Sequence, residues 1–331
     1  MKIVVAGRFD YIRFAWQKEI DNGQVMYFED GVFRKLSFKN KLFNRVASFF
    51  GKFNKKIAEI NKCKNALREY FDIDSLKRKD EILFILYEMN FISSNIELLN
   101  FLKSYFKKAK FVLYFTNVIG TTRPEVTKII MDNIGFYNLV YTFNELDTQK
   151  YVFNYSEIPH GDYASIQEAD IERFDVFYAG RAKDRLNKIL SVAKRCKALG
   201  LSIKFFISYA KTEEQVEMEG VTYCDYMPYI KMLSYEKRSR AILSIMDGVT
   251  NSITLRDEEP ISMGKILITD NENIENSKYY TESKVIKLND LESQVYKIVN
   301  QKDSEKYNNA VVGSCVSRFL VKIAEDLKRK N

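Results

Sequence analysis

Short apolar runs with no polar alternation recur along this chain, each followed by an amphipathic stretch. In the first half the runs are 3–6, 81–87, Lys110–Phe115 and Leu139–Thr142. Helical periodicity occupies 95–108 and 125–134, with Pro124 at the favoured first helical position. A further helix starts near Asn144. A turn-rich stretch, Tyr155-Ser-Glu-Ile-Pro-His-Gly-Asp-Tyr163, interrupts the pattern. The alternation then restarts, with strands expected at 176–178, 202–207, 220–223, 241–246, 265–269 and 284–287. Helices are expected at 186–199, 234–239, 253–263, 290–300 and 309–330. A continuous apolar run is a strand covered on both faces, and parallel strands need crossovers long enough for a helix. The fold class is therefore α/β, with two Rossmann-like doubly wound domains facing a cleft. Their expected limits are 1–160 and 172–308, and 309–331 is a terminal helix packing back towards the first domain.

Composition narrows the classes. With 331 residues, 46% hydrophobic and 14% aromatic, the chain can bury two ordinary cores and is not a disordered polymer. The net charge of +8 points to an anionic partner: a nucleotide, a phospholipid surface or a nucleic acid. Cys63, Cys196, Cys224 and Cys315 show no CxxC spacing and read as reduced thiols in a cytoplasmic protein. One histidine and no zinc pattern leave little metal chemistry, so no metal cofactor is expected. No run reaches membrane-spanning length, and the apolar part of the N-terminus is too short for a secretory leader.

Phe174-Asp-Val-Phe-Tyr-Ala-Gly-Arg-Ala-Lys-Asp-Arg185 carries the strongest chemical signal. A strand ends at Gly180, the cations Arg181, Lys183 and Arg185 follow, and a helix begins at Leu186. A helix N-terminus offers backbone N–H groups and a favourable dipole to an anion, and guanidinium groups grip phosphate in bidentate fashion. The same residues also fit an ordinary turn with a solvated basic rim.

A second basic region precedes it. Between Phe33 and Arg68 stand eleven Lys or Arg and one acid, Glu59. Leu42, Val46, Phe49, Phe50 and Phe53 fall at helical spacing, with Lys41, Arg45, Lys52, Lys55 and Lys56 between them. Such a segment, 33–71 as a whole, suits the interface of an anionic membrane. It equally suits a helix packed on its own sheet. No nucleic-acid-binding pattern is present. Asp72-Ile-Asp74 is a DxD, but it follows no strand and reads as a loop and helix cap.

The stretch 175–186 resembles the start of the C-terminal domain in bacterial glycosyltransferases of the GT-B fold, which build capsular, exopolysaccharide and lipopolysaccharide sugars. So do Ala241-Ile-Leu-Ser-Ile245, Thr254-Leu-Arg-Asp-Glu-Glu259 and Gly264-Lys-Ile-Leu-Ile-Thr-Asp-Asn271. The resemblance covers about 140 to 290 well and the first 130 residues weakly. It implies transfer of a sugar from a nucleotide-sugar donor, a UDP-sugar foremost, to a glycan or lipid-linked glycan acceptor. The first domain would bind acceptor and the second the donor. By position, Gly180, Arg181, Lys183 and Arg185 would surround the diphosphate. Glu259 would accept the ribose hydroxyls, Pro228 and Tyr229 would line the base, and Thr250, Thr254 and Arg256 would meet phosphate or sugar. Arg256 also fits a structural ion pair, and Tyr229 a loop packer. Two departures matter: Pro260 stands where the family has Ala, which predicts a bent or later-starting helix. Asn251 stands where retaining members often carry a second Glu, which favours inversion.

Inversion is a direct displacement that needs a base at the acceptor hydroxyl and support for the leaving diphosphate. The candidate bases are Asp10 after the first strand, Glu88 at the end of the second, and His160 between the domains. Asp10 also fits a helix N-cap. The alternative to an enzyme is a non-catalytic GT-B module that binds nucleotide-sugar or a partner. Localisation is expected to be cytoplasmic, peripheral at the inner membrane face.

Overall fold

The computed structural model describes residues 1–29, 55–68, 73–250, 252–278, 280–301 and 315–330. The chain divides into two compact units. Met1–Pro159 and Arg318–Asn331 form the first, and His160–Ser317 the second.

The first unit is built on β1 (Lys2–Gly7), β2 (Val25–Glu29), β3 (Ile82–Tyr87), β4 (Lys110–Phe115), β5 (Leu139–Thr142) and β6 (Asn154–Tyr155). They make one parallel six-stranded sheet in the order β2-β1-β3-β4-β5-β6. Val5, Ile85, Val112 and Leu139 stand in one row across it. Every residue of β3 is buried, as a strand with helices on both faces must be. The helices are α1 (Asp10–Asp21), α2 (Lys55–Arg68), α3 (Ile96–Tyr105), α4 (Pro124–Asp132) and α5 (Glu145–Tyr151). Trp16 of α1 is fully buried and its Nε1 donates to Tyr87 Oη at 3.0 Å. In α3 the Asn95 side chain accepts the Leu98 N–H at 3.1 Å and caps the helix.

The second unit repeats the plan with β7 (Phe174–Arg181), β8 (Ile203–Ser208), β9 (Val221–Cys224), β10 (Ser239–Ser244), β11 (Ile266–Thr269) and β12 (Val285–Lys287). Its parallel sheet has the order β12-β11-β10-β7-β8-β9. Around it lie α6 (Leu186–Ala198), α7 (Tyr229–Arg238), α8 (Leu255–Ser262) and α9 (Leu291–Val299). Two Rossmann-like domains are therefore the architecture.

Three local expectations change. β2 is an addition: Val-Met-Tyr-Phe-Glu is a short edge strand, and the Asn22-Gly23 and Asp30-Gly31 pairs that bracket it were the available signal. Helix α7 begins at Tyr229, five residues before the periodicity suggested, and runs straight into β10 without a loop. Gly180 does not turn the chain. β7 continues through it to Arg181, and the left-handed residue is Lys183, at φ 44°.

The last helix, α10 (Cys315–Lys330), belongs to the first unit from Arg318 onward. Phe319 meets the Tyr114 ring edge-on at 5.5 Å and the Tyr141 ring at 5.2 Å. Tyr141 Oη donates to Asp326 Oδ2 at 2.6 Å, and Lys330 Nζ to the Asn138 carbonyl at 2.8 Å. Among the described residues no helix is long and apolar enough to cross a membrane.

Phe319→Ala should destabilise the first unit by roughly 3–5 kcal/mol, the usual cost of emptying a buried aromatic site. Urea unfolding followed by tyrosine fluorescence checks it, and an unchanged midpoint would remove α10 from the core.

Candidate functional site

In the second sheet the chain starts at β7 and proceeds to β8 on one side, then to β10 on the other. The carboxyl ends of β7 and β10 are thus the topological switch point, where connections leave in opposite directions and open a crevice. The sequence motif lies there. Lys183 Nζ pairs with Asp247 Oδ2 at 2.9 Å. Arg185 Nη1 donates to the Ile245 carbonyl, and its Nη2 to the Arg181 carbonyl at 3.1 Å. Lys183 and Arg185 therefore tie the β7–α6 connection to the loop after β10. The Arg181 side chain is exposed and stacks on Tyr209, its Cζ 5.0 Å from the ring centroid. Gly180 has a packing reason: a Cβ there would sit 2.6 Å from Tyr178 Oη. The N-terminus of α6 has no side-chain cap.

Behind this edge lies a buried ionic cluster. Arg256 of α8 places Nη1 at 2.5 Å from Glu236 Oε1 and 3.1 Å from Glu259 Oε2. Tyr229 Oη donates to Glu259 Oε1 at 2.5 Å. Burial pushes Glu236 well above the ordinary carboxylate range, and repulsion from Glu259 adds to it while Arg256 opposes. Burial raises Glu259 as well, against the pull of Arg256 and Tyr229. Burial alone would lower Arg256, but Glu259 and Glu236 outweigh it and hold the guanidinium charged. Two carboxylates thus face one cation, and the physical resolution is a proton held between the pair.

Sequence reasoning missed Glu236. The available signal was spacing: Tyr229, Met232, Leu233 and Glu236 form the buried i, i+3, i+4, i+7 face of α7. A glutamate in that row needs a buried partner. Tyr163 was missed too. It is buried near the same carboxylates, and its ring stacks on His160 at 5.0 Å.

Asp257 was also passed over as part of an acidic run. It forms a capping box with Thr254, accepting the Thr254 N–H at 3.0 Å and its hydroxyl at 2.9 Å. It also accepts Ser244 Oγ at 2.8 Å and Asn271 Nδ2 at 3.3 Å, which pins α8 to the ends of β10 and β11. Thr254 is therefore engaged at the helix start. Thr250 is buried and its hydroxyl accepts the Ser252 N–H at 3.0 Å. Pro228 is the residue before α7. Pro260 lies inside α8, which runs on through it to Ser262, with Met263 N–H bonded to the Glu259 carbonyl at 3.0 Å.

The first sheet has its own switch point, between β1 and β3, and Asn90 Nδ2 bridges it to the Gly7 carbonyl at 3.3 Å. Asp10 opens α1 as its first residue, the cap position being Phe9, and its Oδ1 accepts the Tyr11 N–H at 3.0 Å. Glu88 follows β3 and is 1% exposed. Its Oε1 accepts from Thr116 N and Oγ1 and from Asn117 N at 3.0 Å each, and from Asn117 Nδ2 at 2.7 Å. Its Oε2 has no hydrogen-bond partner among the described residues. Burial raises its pKa, against those hydrogen bonds. His160 belongs to the second unit, is buried, and its Nδ1 lies 2.9 Å from the Gly161 carbonyl.

Of the basic segment, 33–54 and 69–71 lie outside the described residues, as does Asp72. Within α2, Cys63 and Leu67 enter the core of the first unit. Arg68 grips Asp74 through two hydrogen bonds of 2.7 and 3.0 Å, and this pairing lowers the Asp74 pKa. The second carboxylate of the DxD is therefore a structural partner.

No family model matches the chain, nor does any curated protein. Solved structures do share its architecture. One is sucrose-phosphate synthase from Thermosynechococcus elongatus, at 8% identity and TM-score 0.56, covering 100% of both chains. Another is the catalytic domain of starch synthase IV from Arabidopsis thaliana bound to ADP and acarbose, at 10% identity and TM-score 0.53, covering 100% of this chain and 99% of that one. A third is a putative UDP-N-acetylglucosamine 2-epimerase from Listeria monocytogenes, at 6% identity and TM-score 0.51, covering 100% and 97%. At such identities the likeness is one of fold, and the fold is GT-B.

Two outcomes follow. Arg256→Gln leaves two buried carboxylates facing each other and should cost roughly 3–5 kcal/mol at neutral pH. The loss should shrink as pH falls, because burial raises both carboxyls and their full protonation removes the repulsion, and urea midpoints at neutral and at acidic pH read it. For Glu88 the folded pKa is raised, so its contribution is complete below the unfolded value of about 4.3 and is lost as pH rises through the folded one. Glu88→Gln should therefore gain stability relative to the wild type from pH 4 to pH 8; parallel pH profiles would contradict the burial argument.

Proposed function

We propose that this protein is an enzyme acting on nucleotide sugars, a glycosyltransferase that passes a sugar from a UDP-sugar to a glycan acceptor. The observation that carries the reading is the switch point of the second sheet, where Arg181, Lys183 and Arg185 gather between β7 and α6. Arg181 reaches outward for the diphosphate, and the uncapped start of α6 adds its dipole. Lys183 and Arg185 hold the loop in place and add positive potential. Glu259 takes the ribose hydroxyls; since it is 1% exposed, Tyr229 must first release its hydrogen bond.

The reaction is an inverting displacement without a metal. The cations and the helix terminus support the charge that builds on the leaving diphosphate. The acceptor proton goes to a carboxyl of the first unit. Glu88 suits this best, because four donors fix one oxygen and burial raises its pKa, which makes the carboxylate a stronger base. Asp10 and His160 are the lesser candidates. The acceptor is lipid-linked and belongs to surface polysaccharide synthesis at the inner membrane face, approached through the basic segment 33–71.

A second reading comes from the 2-epimerase among the structures of like fold. On that reading this protein would act on a UDP-sugar by epimerisation rather than transfer.

Thermal denaturation with UDP, GDP and dTDP tests the proposal. A ligand at a hundredfold its dissociation constant should stabilise by about 2.7 kcal/mol, and Arg181→Ala should abolish the effect. Slow hydrolysis of UDP-N-acetylglucosamine in EDTA marks a transferase, and epimerised sugar marks the second reading. Binding without turnover marks a non-catalytic module. No stabilisation by any nucleoside diphosphate sinks all three.

A further inference from the structure

Four described non-glycine residues hold a left-handed backbone: Arg123, Val152, Lys183 and Tyr209. Val152 is explained by a helix end, since it closes α5, and Arg123 belongs to the first unit, before Pro124 at the start of α4. The other two flank Arg181. Lys183 follows it by two residues, and Tyr209 follows Ser208, the register partner of Arg181 in β8. Backbone strain of this kind persists where the surroundings over-determine it, and it gathers at ligand clamps.

The surroundings do pin this turn. Ala182 N–H donates to the Ser208 carbonyl at 2.8 Å, and Tyr209 N–H to the Cys224 carbonyl at 3.3 Å. Glycine would meet the same backbone demand without strain. Instead the position carries a ring that is 58% exposed, at φ 58°. Such a ring does little for the core. Its one cation or ring neighbour among the described residues is Arg181, 5.0 Å from the centroid. The residue expected from sequence to face a base, Tyr229, is buried with its hydroxyl on Glu259. The carboxyl edge therefore has its cations, and Tyr209 is the flat aromatic surface beside them.

We propose that the Tyr209 ring, braced on one face by Arg181, is the platform on which the base of a nucleoside diphosphate stacks. The inference rests on the nucleotide-sugar reading and assigns its base-recognising residue. A base has a π-face whatever its hydrogen-bonding edge, so the platform sets affinity for the nucleoside more than the choice among bases. Arg181 then serves twice, covering the ring and meeting the diphosphate next to it.

Calorimetric titration separates these roles. The probes are inorganic pyrophosphate and whichever of UDP, GDP and dTDP binds the wild type most tightly. Tyr209→Asn removes the ring but keeps a residue that tolerates the left-handed backbone, so its melting temperature should match or exceed that of the wild type. It should bind the nucleoside diphosphate roughly tenfold more weakly or worse, with pyrophosphate unchanged. Tyr209→Phe should bind both probes as the wild type does. If Tyr209→Asn keeps full nucleotide affinity, or loses pyrophosphate in equal measure, the platform is wrong while the nucleotide reading stands. If the wild type binds none of the three nucleotides, both fall together.

Discussion

Parallel strands cannot be joined by tight turns, and most of this protein follows from that constraint. Each strand must be carried back by a crossover, so the helices cover both sheet faces and the loops that follow the strands collect at one edge. In the second unit that edge holds the three cations, the strained turns and the capping hub at Asp257. In the first it holds Asp10 and the Glu88 carboxyl. The sheets supply position; the chemistry sits where the strands stop.

How much of this was legible in the sequence depended on what each residue's burial required. Lys110–Phe115 and Leu139–Thr142 were read to the residue, because a strand covered on both faces is a continuous apolar run with polar ends. β2 was not, although Val25-Met-Tyr-Phe28 is an apolar run of the same kind between Asn22-Gly23 and Asp30-Gly31; the run was passed over because it is short and lies next to the basic segment. The basic motif at 181–185 was visible as chemistry, yet its geometry was not. The strand was read as ending at Gly180, whereas it runs on to Arg181, the missing Cβ makes room for Tyr178, and the turn falls to Lys183. The buried cluster was least visible. Glu236 and Arg256 are twenty residues apart and are joined only by the packing of α7 on α8. Nothing local in either segment announces the other.

That cluster has a character of its own. Exposed ion pairs contribute little, and buried ones offset their desolvation only when geometry is good and the surplus charge is settled. Here Arg256 serves two glutamates through one nitrogen, Tyr229 donates to the second, and a retained proton closes the balance. Alternative packings of α7 against α8 would strand a charge. The cluster therefore specifies one arrangement of the helices that carry Tyr229, Arg256 and Glu259, the residues on which the donor reading leans.

The first unit is discontinuous in sequence, because its aromatic pair Tyr114 and Tyr141 is completed by Phe319. A ribosome makes those tyrosines long before it makes their cover. Until the stretch beyond residue 317 emerges, the earlier part of the chain exposes a sticky aromatic socket while the second unit is already being assembled. Vectorial synthesis thus leaves this protein dependent on late closure, and a chain cut short before α10 would present that socket to chaperones and proteases.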